Sequence, residues 1–164
     1  MNIVLLEPEI PSNTGNIART CVCTGSRLHL IRPLGFSLSE KNLKRAGMDY
    51  WHLLDYCIYD DLEDFLEKAH PARLYLATTK AKQTYADVRY EVDDYIMFGK
   101  ESAGIPEEFL KYRKNDCIRI PMGTHLRSLN LSNSVAIILY EALRQQGFPD
   151  METQGELHHE TYIE

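Results

Sequence analysis

The 164-residue sequence has no C-x-x-C pair, no apolar run long enough to cross a membrane and no phosphate-binding glycine signature. Its four cysteines, Cys21, Cys23, Cys57 and Cys117, have no histidine at metal-ligand spacing. This argues against a zinc site or a redox motif and for reduced, buried thiols, so no metal is expected. The first apolar stretch, NIVLL, is broken by Glu7 and Pro8. It is too short for a signal peptide or a membrane span, so a cytoplasmic protein without a membrane anchor is expected. Neither G-x-G-x-x-G after a strand nor G-x-x-x-x-G-K-S/T occurs, and dinucleotide and Walker-type nucleotide binding lose support.

A basic excess is also lacking. The net charge is −6, yet the last fourteen residues hold four acids and no Lys or Arg, which leaves −2 on residues 1–150. A nearly neutral body can still carry a local basic face, with modest salt-dependent affinity for nucleic acid. The length suits one domain with a core of its own. Residues 1–150 are expected to form it, with 151–164 an acidic, flexible tail.

Short apolar runs recur at 2–6, 28–31, 53–59, 73–79, 95–99 and 117–121, bounded by turn residues and rich in β-branched and aromatic types. Helical signals alternate with them. Residues 13–24 stop at Gly25, Ser39 can cap a short helix ending at Gly47, LEDFLEKAH stops at Pro71, PEEFLKY begins with Pro106, and a long helix runs from Ser132 to Gln146 before Gly147. Strand-helix alternation predicts an α/β fold whose mainly parallel sheet is covered by helices on both faces. Ligands of such sheets sit beyond the carboxyl ends of the strands, so the loops after Leu6, Thr79, Gly99 and Pro121 are the places for chemistry.

Three stretches stand at such loops. In EPEIPSNTGNIART, residues 7–20, the prolines stiffen the strand exit, Asn13 or Thr14 can cap a helix, and Arg19 can present a guanidinium beside the Asn13 amide. In FGKESAGI, residues 98–105, closely spaced small residues require a sharp turn or a close approach, with Glu101 the acid near its centre. In IPMGTHLRSLNLSN, residues 120–133, Arg127, Ser128, Asn130, Ser132 and Asn133 crowd one helix entry, interleaved with Leu129 and Leu131. One cap residue satisfies a helix start. Donors alternating with leucines suit a segment that packs on one side and meets a polar ligand on the other.

Taken in order, the three stretches resemble the motifs of the SPOUT class of methyltransferases, its SpoU branch in particular. Residues 12–19 are a looser form of N-x-x-G-N-I-x-R; 98–104 read F-G-x-E-x-x-G; I-P-M at 120–122 precedes S-L-N-L-S-N-S-V-A-I at 128–137. The opening NIVLLEPEIPSNTGNIART and RAGMDYW at 45–51 are similar to the tRNA (cytidine/uridine-2′-O-)-methyltransferases of the wobble nucleotide. The likeness spans about residues 2–149. It implies a homodimer of SPOUT (α/β knot) fold with a C-terminal trefoil knot and S-adenosyl-L-methionine bent inside the knotted loops. Small side chains and locally satisfying Ser and Asn suit a segment where one loop threads another.

By the same resemblance, Ala77 and Thr78 lie near the cofactor, Gly99, Glu101 and Gly104 form a second wall, and Ile120, Met122, Ser128 and Leu129 hold the adenine and methionine parts. Asn13, Arg19, Ser128 and Asn130 match the catalytic set. The implied partner is a tRNA anticodon stem-loop. Arg27, Lys41, Lys44, Arg45, Lys80, Lys82 and Arg127 are candidates for a basic face, and Tyr50 or Trp51 for stacking an unpaired base. Two alternatives stand beside this reading: a ribosomal RNA 2′-O-methyltransferase, and a non-catalytic dimeric RNA-binding protein of the same fold.

Overall fold

The computed structural model describes residues 1–38 and 51–159. The helix expected from Ser39 to Gly47, the cations Lys41, Lys44 and Arg45, and Tyr50 lie outside the described residues.

The chain alternates β1 (Asn2–Leu6), α1 (Pro11–Thr24), β2 (Arg27–Ile31), a 3₁₀ turn (Trp51–Leu53), β3 (Tyr56–Tyr59), α2 (Leu62–Ala69), β4 (Leu74–Ala77), β5 (Gln83–Thr84), β6 (Tyr95–Phe98), α3 (Glu107–Leu110), β7 (Cys117–Arg119) and α4 (Leu131–Gln145). The seven strands form one sheet in the order β3-β2-β1-β6-β4-β7-β5, and all of its pairings are parallel. Successive side chains on a strand point to opposite faces. Ile3 and Leu5 therefore pack with Ile17 and Cys21 of α1 and Val135 and Leu139 of α4, while Val4 and Leu6 pack with Phe65 of α2 and Leu110 of α3. Burial on both faces explains why these strands read as continuous apolar runs.

Several boundaries depart from the sequence expectations. Leu53, expected to open a strand, ends the 3₁₀ turn Trp51–Leu53, and β3 begins only at Tyr56. The two-residue β5 carries too few letters for a strand signal and exists by pairing with β7 at the sheet edge. Helix α3 is a single turn, with Pro106 at its cap position. Helix α1 starts two residues early because Pro11, with its fixed φ and missing N–H, suits the first helical position. Asn13 and Thr14 are consequently buried inside its first turn and neither caps it.

At the far end of α1, Gly25 takes the left-handed conformation (φ 62°) and its N–H closes the last turn. Beyond α4, Phe148 and Met151 pack against the core. From Glu152 to His159 the tail is exposed and has no regular structure.

Candidate active site

Walking the sheet outward from β1 leads to β2 on one side and to β6 on the other. Loops leaving the carboxyl ends of β1 and β6 diverge at this switch point, where open α/β sheets form their ligand crevices. Here the two loops are clasped together. Glu9 accepts from the N–H (2.9 Å) and Oγ (2.8 Å) of Ser102, and Lys100 Nζ reaches Glu7 Oε2 at 2.8 Å. These contacts hold the Glu9 carboxyl below its usual pKa, chiefly through the Ser102 hydroxyl, and raise that of Lys100 through Glu7.

Glu101 completes the clasp. Its carboxylate accepts from Glu9 N (2.9 Å), Ile10 N (3.3 Å) and Asn13 Nδ2 (3.0 Å). The negative charge thus sits at the amino end of α1, where free N–H groups and the helix dipole favour it. A residue 91 positions along the chain from Ile10 supplies what a local side-chain cap ordinarily does.

The relay continues into the third stretch. Asn130 Nδ2 donates to Asn13 Oδ1 at 3.0 Å, while Asn130 Oδ1 accepts from Ser132 N (2.9 Å), Ser132 Oγ (2.7 Å) and Asn133 N (3.3 Å). Ser134 Oγ donates to the Asn130 carbonyl at 3.0 Å. The crowding of Ser and Asn before α4 now has a cause. Asn130 caps α4 with its oxygen and holds Asn13 with its amide, and the serines around it fasten that double role.

Beside this relay opens a cleft of about 340 Å³ at the carboxyl ends of β4, β6 and β7. Ala77 and Thr78 line it from β4; Phe98, Gly99, Glu101 and Gly104 from β6 and its loop; Ile118, Ile120 and Met122 from β7 and beyond. Arg127, Ser128 and Leu129 close it from the segment before α4, and Ser134 and Ile138 from α4 itself. All nine residues expected to hold a cofactor therefore share one cavity. Gly99 admits no side chain: a Cβ there would stand 2.1 Å from the Gly104 carbonyl carbon and 2.2 Å from Ile105 N. The loop folds back this tightly because Gly104 adopts φ 73° and donates its N–H to Lys100 O at 2.8 Å.

Of the four catalytic candidates, Asn13 and Asn130 meet directly and Ser128 lines the cleft. Arg19 is exposed on α1 and is not among the lining residues. Six residues advance a helix by about 240°, so Arg19 does not share a face with Asn13, contrary to the expectation of a guanidinium beside that amide. Sequence reasoning missed the Glu9–Ser102 clasp and the role of Glu101 as acceptor for α1. Neither follows from spacing, because each pairs residues from opposite halves of the chain.

Among the described residues, no group of three or more His, Cys, Asp or Glu side chains is placed to hold a metal ion, and no helix is long and apolar enough to cross a membrane.

The cleft and its amide-carboxylate relay lie between the strand-end loops of an α/β protein that has no phosphate-binding glycine motif. The family model described as SpoU rRNA Methylase family matches residues 1–140, and the chain belongs to that family. The tRNA (cytidine(34)-2′-O)-methyltransferase of Escherichia coli (strain K12) is 48% identical over 150 residues, spanning 91% of this chain and 96% of the relative. A solved structure concerned with the 2-OH methylation of C/U34 on tRNA is similar at TM-score 0.82 and 43% identity, covering 89% of this chain and 95% of that one. The AdoMet-bound rRNA methyltransferase from Sinorhizobium meliloti is similar at TM-score 0.75 and 26% identity, covering 87% of this chain and 55% of its own.

Proposed function

We propose that this chain is an S-adenosylmethionine-dependent methyltransferase of the ribose 2′-oxygen at the wobble nucleotide of tRNA, working as a cytoplasmic homodimer. The observation that carries the reading is the link from the cleft, through its lining residue Glu101, to the Asn13–Asn130 pair, in a chain whose relatives bear that activity in their names.

The lining fits the cofactor. Ile118, Ile120, Leu129 and Ile138 offer apolar contact to an adenine, Gly99 and Ala77 leave backbone exposed to polar edges, and the volume lies in the range of small-molecule sites. When bound, the cofactor supplies an electrophilic methyl on a sulfonium. The task left to the protein is alignment of the ribose hydroxyl with that methyl and stabilisation of the oxygen as its proton leaves. Asn13 and Asn130 are fixed by their mutual bond and by Glu101, so they orient neighbouring groups without reorganising. Ser128 stands at the exposed rim of the cleft, where a ribose enters.

Arg19 grips a phosphate next to the target ribose. A guanidinium with pKa above about 12 has no lone pair to act as a base, but its fork suits a phosphate. Its exposure places it for a ligand arriving from outside.

The knot belongs to the same proposal: the carboxyl-terminal part of the chain is tied in a trefoil around the cofactor-binding loops. Support for the dimer comes from apolar side chains left in solvent. Ile10 before α1 is 43% exposed, and Ile137 and Tyr140 on α4 are 36% and 43% exposed.

Mass spectrometry of tRNA nucleosides tests this reading in cells lacking the protein. A 2′-O-methyl mark at the first anticodon base is expected to vanish, to return with the wild-type chain and to stay at least about tenfold lower with Arg19→Lys. An unchanged mark in the deleted cells overturns the activity. Full rescue by Arg19→Lys overturns the bidentate grip.

A further inference from the structure

A second cleft, of about 450 Å³, lies between the turn after β4 and helix α3. Its floor is apolar, with Ala81, Leu110 and Cys117 only 6%, 7% and 6% exposed. Its rim carries Lys80, Lys82, Lys111 and Lys114. Lys80 lines the cofactor cleft as well, so the two openings share a wall.

Acids offset part of this charge. Lys80 pairs with Glu107 at 3.0 Å and Lys111 with Glu108. Lys82 and Lys114 have no ion pair among the described residues. A positive excess therefore remains on a chain whose overall charge is −6. Tyr112 stands at the same corner, 83% exposed, with Lys111 Nζ 4.9 Å from its ring centroid. An aromatic ring held in water next to Lys111, at the edge of a lysine-rimmed cleft, combines the two elements by which proteins bind single-stranded nucleic acid: cations for the phosphates and a flat face for a base.

We propose that this lysine-rimmed cleft, with Tyr112, is the docking surface for the unpaired RNA that flanks the methylated nucleotide. Lys80, Lys82, Lys111 and Lys114 hold successive phosphates, and Tyr112 stacks an unpaired base. The strand then leads along the shared wall into the cofactor cleft. The inference rests on the RNA-methyltransferase reading and adds the surface that holds the substrate. It also extends the basic face expected from sequence, where Lys80 and Lys82 were candidates but Lys111, Tyr112 and Lys114 were not.

The test compares wild type with a Lys82→Ala/Lys111→Ala/Lys114→Ala variant, Tyr112→Ala and Tyr112→Phe. All four positions are exposed, and a thermal melt confirms that each variant folds. Transfer RNA binding is measured from low to moderate salt, with S-adenosylmethionine binding followed by calorimetry. The triple variant is expected to bind tRNA at least about tenfold more weakly and to flatten the log-log salt slope by about 2, as three lost phosphate contacts require. Tyr112→Ala is expected to weaken binding about tenfold and Tyr112→Phe to retain it. Methyl-donor affinity stays at the wild-type value throughout. Wild-type tRNA affinity and salt slope in both the triple variant and Tyr112→Ala overturn the surface. A wild-type protein that binds the methyl donor yet neither binds nor methylates tRNA overturns the parent reading instead, and the surface with it.

Discussion

Glu101→Ala is expected to lower methyl-transfer turnover about 100-fold, the size of effect that follows when catalytic groups lose their alignment. The carboxylate ties three segments together: it takes the N–H groups of Glu9 and Ile10 and the amide of Asn13, which in turn receives Asn130. Alanine leaves those three donors without their acceptor and costs about 2 kcal/mol of stability. The two effects separate by experiment. Turnover measured well below the melting temperature reports alignment, and denaturant unfolding reports stability. Glu101→Gln retains an acceptor oxygen and is expected to recover part of both. Turnover within a few-fold of wild type for Glu101→Ala, with normal methyl-donor binding, contradicts the relay.

Acid is expected to remove about 3 kcal/mol of stability between pH 6.5 and 4 through a group far from the reaction. His29 is buried in the middle of β2, stacked on Tyr59 (ring centroids 5.7 Å apart) and edge-on to Phe65. Asn2 Oδ1 only accepts, so His29 Nε2 donates to it at 3.2 Å, and Nδ1 accepts from the Tyr59 hydroxyl at 2.9 Å. This arrangement is satisfied by a neutral ring. Burial, aided by Arg27, lowers the His29 pKa from 6.5 to about 4.

In the unfolded chain the ring takes a proton near pH 6.5, whereas the folded protein resists until about pH 4. The unfolded state therefore binds more protons across that window, and stability falls as pH falls. Above pH 6.5 the contribution is fully present. Denaturant titrations at several pH values, compared with His29→Gln, check this: wild type loses about 3 kcal/mol more than the variant over the window. Parallel curves for the two proteins contradict it.

The periodic apolar runs made the parallel, two-faced α/β fold legible, since strands buried on both sides advertise themselves as uninterrupted apolar stretches such as Ile3–Leu6. Local signals failed where tertiary contacts decide. Asn13 has the chemistry of a cap but becomes a buried link, because Pro11 starts the helix earlier and Glu101 takes over the preceding amides. The two-residue β5 has no signature of its own and depends on β7. Resemblance to known motifs picked out nine cofactor candidates, and all of them line one cleft. It left the clasp between Glu9 and Ser102, and Lys111 and Lys114 of the neighbouring cleft, to be found in three dimensions.

The central claim is that the strand-end loops and the segment entering α4 enclose the methyl donor. A crystal structure of the protein with S-adenosylmethionine addresses it most directly. The account predicts the donor between Thr78, Gly104 and Leu129, with its methyl directed toward the Asn13–Asn130 pair. A donor bound at any other place on the protein contradicts it.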